Sequence, residues 1–268
     1  MRTKRAFTLI EILAALAVLG ILMLAFVRFF GGTLKTSGRL QVQNELLNEG
    51  QISQQLIASR IKEAWYLFPK GTTIRLTNSG WTTKNVFDNS YNWTVGERFI
   101  AMILPPKLDN VKCSEDSRGC FRFYAYYPLP RSWYQANASA VVKLNPDPEN
   151  DPHVWVVMEY RANYRTCPVE DGEPDPDNTN YRGKRGVLLL DYVQPENDPW
   201  DATYNYTLFD LPTGSAPKRA STAIRMLRKD GNRVYRVPKD PLPMSLEVEA
   251  QNAGLKLPAN ASERPYCQ

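Results

Sequence analysis

The chain has 268 residues, with 33 Lys and Arg against 28 Asp and Glu and a formal net charge of +5. Arg2, Lys4 and Arg5 supply three of those charges, and the net +5 less these three leaves about +2, which argues against a broadly basic nucleic-acid binder. One histidine, His153, four cysteines without a CxxC pair and the lack of a Gly-rich phosphate loop or nucleophile motif argue against a zinc centre and against an enzyme.

From Phe7 to Val27 the only charged residue is Glu11. As a helix rising about 1.5 Å per residue, this segment is roughly 30 Å long and spans a bilayer once. The basic residues before it put the N-terminus on the cytoplasmic side and everything after Arg28 outside. A secretory signal would have a shorter apolar run ending at small residues, whereas this one ends in Phe26-Val27-Arg28-Phe29-Phe30. A plain anchor fits the length but leaves Glu11 unexplained. A carboxylate at the centre of a spanning helix costs about 2.5 to 3.5 kcal/mol on insertion scales and points to function.

Past the span, Leu40, Leu46, Leu47, Ile52, Leu56, Ile57, Ile61, Ala64 and Trp65 recur at mixed three-, four- and seven-residue spacings among Gln, Asn, Glu and Lys. This predicts an amphipathic continuation of the helix to Trp65, stopped by Pro69-Lys70-Gly71. The rest reads as β-rich. Strands are predicted at 98–104, 120–127, 154–161, 186–193, 204–211, 223–229, 233–237 and 244–250, separated by segments rich in Pro, Asn, Asp and Gly. Helix first and strands after predict an α+β fold, with a long N-terminal helix packed on an antiparallel sheet in one domain or two. His153 reads as the start of a strand, and "YAYYPLPRSWY" as aromatic core or a protein contact.

In "LRKDGNRVYR", Asp230-Gly231 predicts a two-residue hairpin turn, which sets Arg228 opposite Arg233 and Arg225 opposite Arg236. Like charges facing across strands destabilise unless neutralised. Nearby acids or solvent are one answer. DNA phosphate is the other, contacted by Arg225, Arg228, Lys229, Arg233 and Arg236, with Tyr235 stacking on a base.

Cys113, Cys120, Cys167 and Cys267 all fall outside the membrane, where disulfides persist. Of three connectivities, Cys113 with Cys120 and Cys167 with Cys267 is favoured: the first pair closes a short polar loop and the second ties back the last residues. In "PVEDGEPDPDNTN", Asp175 and Asp177 have the first spacing of a calcium loop, but Thr179 and Gly186 stand where ligands are needed. That stretch and Asn145–Pro152 read as solvated loops.

The short basic leader followed by Ala6-Phe7-Thr8-Leu9-Ile10-Glu11 and an apolar run resembles the class III signal of type IV pilins and type II secretion pseudopilins. The resemblance implies cleavage by a prepilin peptidase between Ala6 and Phe7 and N-methylation of Phe7, with Glu11 as the fifth mature residue. The family usually has Gly where this chain has Ala6, so processing is expected to be slower. The implied divisions are a leader over 1–6, a membrane and filament-core helix over 7–30, its amphipathic continuation over 31–68 and an extracytoplasmic head over 69–268. In a filament, Glu11 would pair with the N-terminal amine of a neighbour and set the assembly register, because a paired charge is tolerable in an apolar core and an unpaired one is costly.

"LNEGQISQQLIASRIKEAW", with Arg60 and Ala64, and the later "VWVVMEYRANYR" are similar to W/J-type minor pilins. That resemblance implies a minor pilin that primes assembly and stays at the tip, with other major and minor pilins as partners. The alternatives are a secretion pseudopilin and a tip pilin that binds DNA or a surface. The expected location is the inner membrane, crossed once, with the head in the periplasm or on the cell surface. No cofactor is expected.

Overall fold

The computed structural model describes residues 9–76, 80–96, 98–108, 111–113, 115–164, 174, 184–214 and 217–253. The chain divides into two compact units, residues 1–45 and 46–268. The first is helical throughout its described part. Helix α1, Leu9–Glu63, begins there and its last eighteen residues belong to the second unit. It stops within two residues of the predicted Trp65.

Within the second unit, α1 buries Leu46, Gly50, Ser53, Gln54, Ile57, Ala58 and Ile61. These recur every three or four residues, the spacing that places side chains on one helical face. Burying Leu46, Ile57 and Ile61 is worth roughly 1.5 to 3 kcal/mol each. Gln54 anchors the face through Nε2, which donates to Thr222 O at 3.1 Å and Met244 O at 2.6 Å. The free carbonyls at the helix end are partly satisfied from far along the chain. Gln251 N donates to Lys62 O at 3.0 Å, and Asn252 Nδ2 donates to Glu63 O at 2.9 Å.

The helix passes directly into β1, Tyr66–Leu67, followed by β2, Thr73–Arg75, and β3, Asn92–Thr94. Next come β4, Ile100–Leu104, β5, Arg122–Pro130, a short helix α2, Arg131–Asn137, β6, Trp155–Asn163, and β7, Gly186–Val193. The last strands are β8, Phe209–Asp210, β9, Arg219–Ile224, β10, Met226–Asp230, β11, Arg233–Val237, and β12, Met244–Glu249. The main sheet is antiparallel in the order β1-β4-β5-β6-β7-β10-β11; β12-β9-β8 forms a second sheet, and β2-β3 a hairpin. The fold is α+β, as the sequence predicts.

Strands β4 and β5 are buried along nearly their whole length because the middle of the main sheet is covered on both faces. The Arg60 guanidinium of α1 lies 5.2 Å from the Tyr124 ring centre. Three residues on, and so on the other face, Tyr127 packs at 4.6 Å against Trp93 of β3 and donates to Thr82 O at 2.9 Å. Both ends of "YAYYPLPRSWY" are therefore core: Tyr124, Tyr126, Tyr127, Leu129 and Tyr134 are buried.

Three expectations need correction. The predicted strand over 204–211 is a 3-10 turn at Ala202–Tyr204 followed by extended chain and the two-residue β8, because the side chains of Asp198 and Asp201 accept from backbone N–H groups and hold turns there. The predicted strand over 223–229 breaks at Arg225, which lies between the end of β9 in one sheet and the start of β10 in the other. The hairpin turn is Gly231-Asn232 rather than Asp230-Gly231, since Gly231 takes the left-handed φ of +58° at the first turn position. The pairs are then Asp230 with Arg233, Arg228 with Tyr235 and Leu227 with Arg236, so the facing arginines do not occur.

Candidate functional site

In the first unit the large apolar side chains of α1, from Leu9 to Leu34, are all exposed. The helix is long and apolar enough to cross a membrane. Glu11 is the one charged residue of α1 between Leu9 and Val27. Ala6 and Phe7, the predicted cleavage and methylation positions, lie outside the described residues. Near the end of the span, Phe26 packs on Phe30 at 4.2 Å, four residues on and along the same face.

The hairpin does not present its five cations to one surface. Arg225 is fully buried: Nη1 donates to Pro238 O at 2.9 Å and Asp240 O at 2.7 Å, Nη2 donates to Pro241 O, and the Tyr204 ring lies 5.0 Å away. Burial lowers its pKa. Arg236 pairs with the buried Asp198 at 2.8 Å, and its guanidinium lies 4.5 Å from the Tyr204 ring centre. Lys229 pairs with Glu149 at 3.3 Å, and Arg228 lies 5.1 Å from the Tyr192 ring. Arg233 is the exposed member of the five. Tyr235 is buried and is not presented for stacking on a base. Neutralisation inside the fold, by acids and carbonyls, is thus the outcome for most of the patch.

Residues 1–27 match the family model for the prokaryotic N-terminal methylation motif. The match covers this N-terminal segment alone, and it supports the resemblance to type IV pilins and pseudopilins. No curated protein and no solved structure matches the chain. The motif implies processing by prepilin peptidase and pilin partners, and the apolar helix fits a membrane-anchored pilin-like protein with a soluble head.

The second unit has a Cys113–Cys120 disulfide, as predicted. Cys167 and Cys267 lie outside the described residues, as do Asp175 and Asp177. Gly186 opens β7, and a Cβ there would run into the Tyr127 hydroxyl, so no liganding side chain fits at that position. Among the described residues no group of three or more His, Cys, Asp or Glu is placed to hold a metal ion.

The acidic run Asn145–Pro152 is not the solvated loop expected from its composition. It clasps β7 and β10. Arg131, buried at the start of α2, pairs with Asp151 and with Asp191 of β7 at 2.8 Å. Asp147 accepts from Asn150 Nδ2 at 3.0 Å and Tyr192 OH at 2.8 Å. The Tyr192 ring lies 4.8 Å from the Arg131 guanidinium as well as 5.1 Å from that of Arg228. Proline-rich acidic composition gave no hint of this, because the partners are about 20 to 80 residues away and the pattern within the run is that of any loop.

Proposed function

We propose that the chain is a minor pilin of a type IV pilus, a structural subunit that helps to initiate assembly and sits at the tip. The observation that carries this reading is the class III segment of residues 1–27 in front of a large head of two sheets and a hairpin. Prepilin peptidase cuts between Ala6 and Phe7 and methylates Phe7, and the new amine of one subunit meets Glu11 of its neighbour in the filament core. That contact gives register rather than chemistry, because a buried carboxylate without a partner is strongly disfavoured. Arg60 over Tyr124 and the buried Ala64 hold the end of α1 on the head, at the two positions that resemble W/J-type minor pilins. The hairpin cations are largely committed to internal partners, which supports a structural role over DNA binding.

The test has two readouts. Mass analysis of the N-terminus from native membranes should find methylated Phe7; a chain beginning at Met1 would overturn the pilin pathway. Deletion should then remove surface pili and leave protein secretion intact. Lost secretion with normal pili would assign the chain to a type II pseudopilus instead.

A further inference from the structure

Strand β12 stands at the edge of the second sheet, whose order is β12-β9-β8. Its inner side is bonded to β9: Met244, Leu246 and Val248 lie opposite Ile224, Thr222 and Ala220, and one step further Ala250 N donates to Lys218 O at 2.8 Å. Alternate residues of a strand bond to the same neighbour, so the main-chain N–H and C=O of Ser245, Glu247 and Glu249 point away from β9. Among the described residues no strand lies on that side. A row of unpaired donors and acceptors is a template for one more strand, and edges left open are commonly blunted by Lys, Pro or a bulge. Strand β12 runs in unbroken register and contains none of these.

The chain itself supplies the occupant. Directly after β12, Ala253 N donates to Ala250 O at 3.2 Å, a turn that redirects the chain, and the turn is tied to α1 through Gln251 N and Asn252 Nδ2 on the carbonyls of Lys62 and Glu63. The next residues, Gly254-Leu255-Lys256-Leu257-Pro258, alternate with period two and end at a proline, which cannot extend a ladder. With 250–253 as a four-residue hairpin loop, a common length, Val248 faces Leu255, Glu247 faces Lys256 and Leu246 faces Leu257. Apolar then meets apolar and cation meets anion. A slip of one residue would set Lys256 against Val248 or Leu246 and lose both matches.

The surface along the strand has room for these partners. Leu246 is 39% exposed and Val248 is half-buried, on the face that Met244 turns toward Gly50 of α1. On the other face Glu249 is exposed, and Glu247 meets only the exposed Arg219, at 3.3 Å. An open cavity of about 520 Å³ borders Glu247, Val248, Glu249 and Ala253, where the chain leaves the turn.

We propose that Gly254–Leu257 docks as an added strand on the outer edge of β12, so that the second sheet is closed by the segment that follows it in the chain. The proposal stands apart from the filament reading and holds whether or not the chain enters a pilus.

The experiment uses the full chain in detergent, with amide hydrogen exchange read residue by residue. The N–H groups of Glu247 and Glu249 should exchange at least about tenfold more slowly than in a free chain, as bonded amides do. A chain ended at Ala253 should lose that protection while Leu246 and Val248, bonded to β9, keep theirs. Lys256→Glu should weaken it and Lys256→Arg should not. As a check that needs no truncation, Val248→Cys with Leu255→Cys should form a bridge within one chain on oxidation, because facing residues of a non-hydrogen-bonded pair lie about 4.5 Å apart at Cα; Val248→Cys with Lys256→Cys should form much less. Free exchange at Glu247 and Glu249 in the full chain, or no bridge in the first pair, overturns the proposal. Bridges that link two chains, or protection that rises with protein concentration, would give the edge to a second copy and overturn it as well.

Discussion

The side-chain amide of Asn150 closes on the backbone of Lys229 from both sides: Oδ1 accepts from Lys229 N at 2.6 Å, and Nδ2 donates to Lys229 O at 2.8 Å. Among the described residues, β7 pairs with β10 at Met226 and Val193. Beyond that point the side chain of Asn150 supplies the donor and acceptor that a neighbouring strand would have offered. Glu149 continues the contact, accepting from Gly231 N at 3.0 Å.

Removing this amide leaves a backbone donor and acceptor with lost partners. Asn150→Ala should destabilise the head by roughly 2 to 4 kcal/mol, the cost of two buried hydrogen bonds left half made. Denaturant unfolding measures the loss, and amide exchange should locate it at Lys229. Protection there equal to wild type would contradict the role assigned to Asn150.

The clasp also sets a pH window. Burial pushes the Asp147 carboxyl up, but hydrogen bonds from Asn150 and Tyr192 and the charges of Arg228 and Arg131 outweigh it, so its pKa lies below the ordinary value. Its contribution is present above the unfolded pKa, about 4, and is lost as pH falls through the folded value. Tyr192 is shifted the other way: burial, with the bond to Asp147, pushes it up to about 12. Its contribution is complete below the unfolded pKa, about 10, and is lost as pH rises through about 12. Melting temperature against pH should fall at both ends, and Tyr192→Phe should remove part of the alkaline fall.

Two arginines of the same strand should behave differently. Arg236 is paired with a fully buried carboxylate, Asp198, whereas Arg233 is exposed. Arg236→Ala strands that carboxylate and should cost about 3 to 5 kcal/mol. Arg233→Ala should change stability by less than about 0.5 kcal/mol. Equal effects in denaturation would mean that the Asp198 pair is not formed.

Gly186 is held against a fixed neighbour. Its N–H donates to Thr82 Oγ1 at 3.1 Å, and the Tyr127 hydroxyl that a Cβ would meet is itself bonded to Thr82 O. Neither can move without losing a bond. Gly186→Ala should therefore cost roughly 1 to 3 kcal/mol, as overpacking does, in a thermal or denaturant melt.

Glu11→Ala removes a polar group from an apolar span and so favours membrane insertion. The variant should accumulate in the membrane at wild-type levels or above and be missing from sheared filaments. Incorporation at the wild-type level would show that Glu11 does not set the register.

The features legible in the sequence were those written in short-range pattern. The uninterrupted apolar run with its single carboxylate, the β4 to β7 strands, β11 and β12, and the Cys113–Cys120 loop each needed only neighbours within about ten positions. The hairpin shows where that reasoning ends. The predicted and observed registers differ by two residues, a shift that leaves every side chain on the same face, so burial alternation could not choose between them. The choice fell to Gly231, which took the first turn position, and to contacts from distant parts of the chain: Asn150 on Lys229, and Asp198 on Arg236. Likewise Arg225 read as one more cation of a surface strand, and became the buried link between two sheets once β9 and β10 parted. The sequence by itself determined the long apolar helix, its N-terminal methylation motif and the strand-rich second unit, because periodicity and motif spacing are local properties. Which charges would be buried, paired or left in water was decided only by tertiary structure, because each depends on a partner that folding brings from tens of residues away.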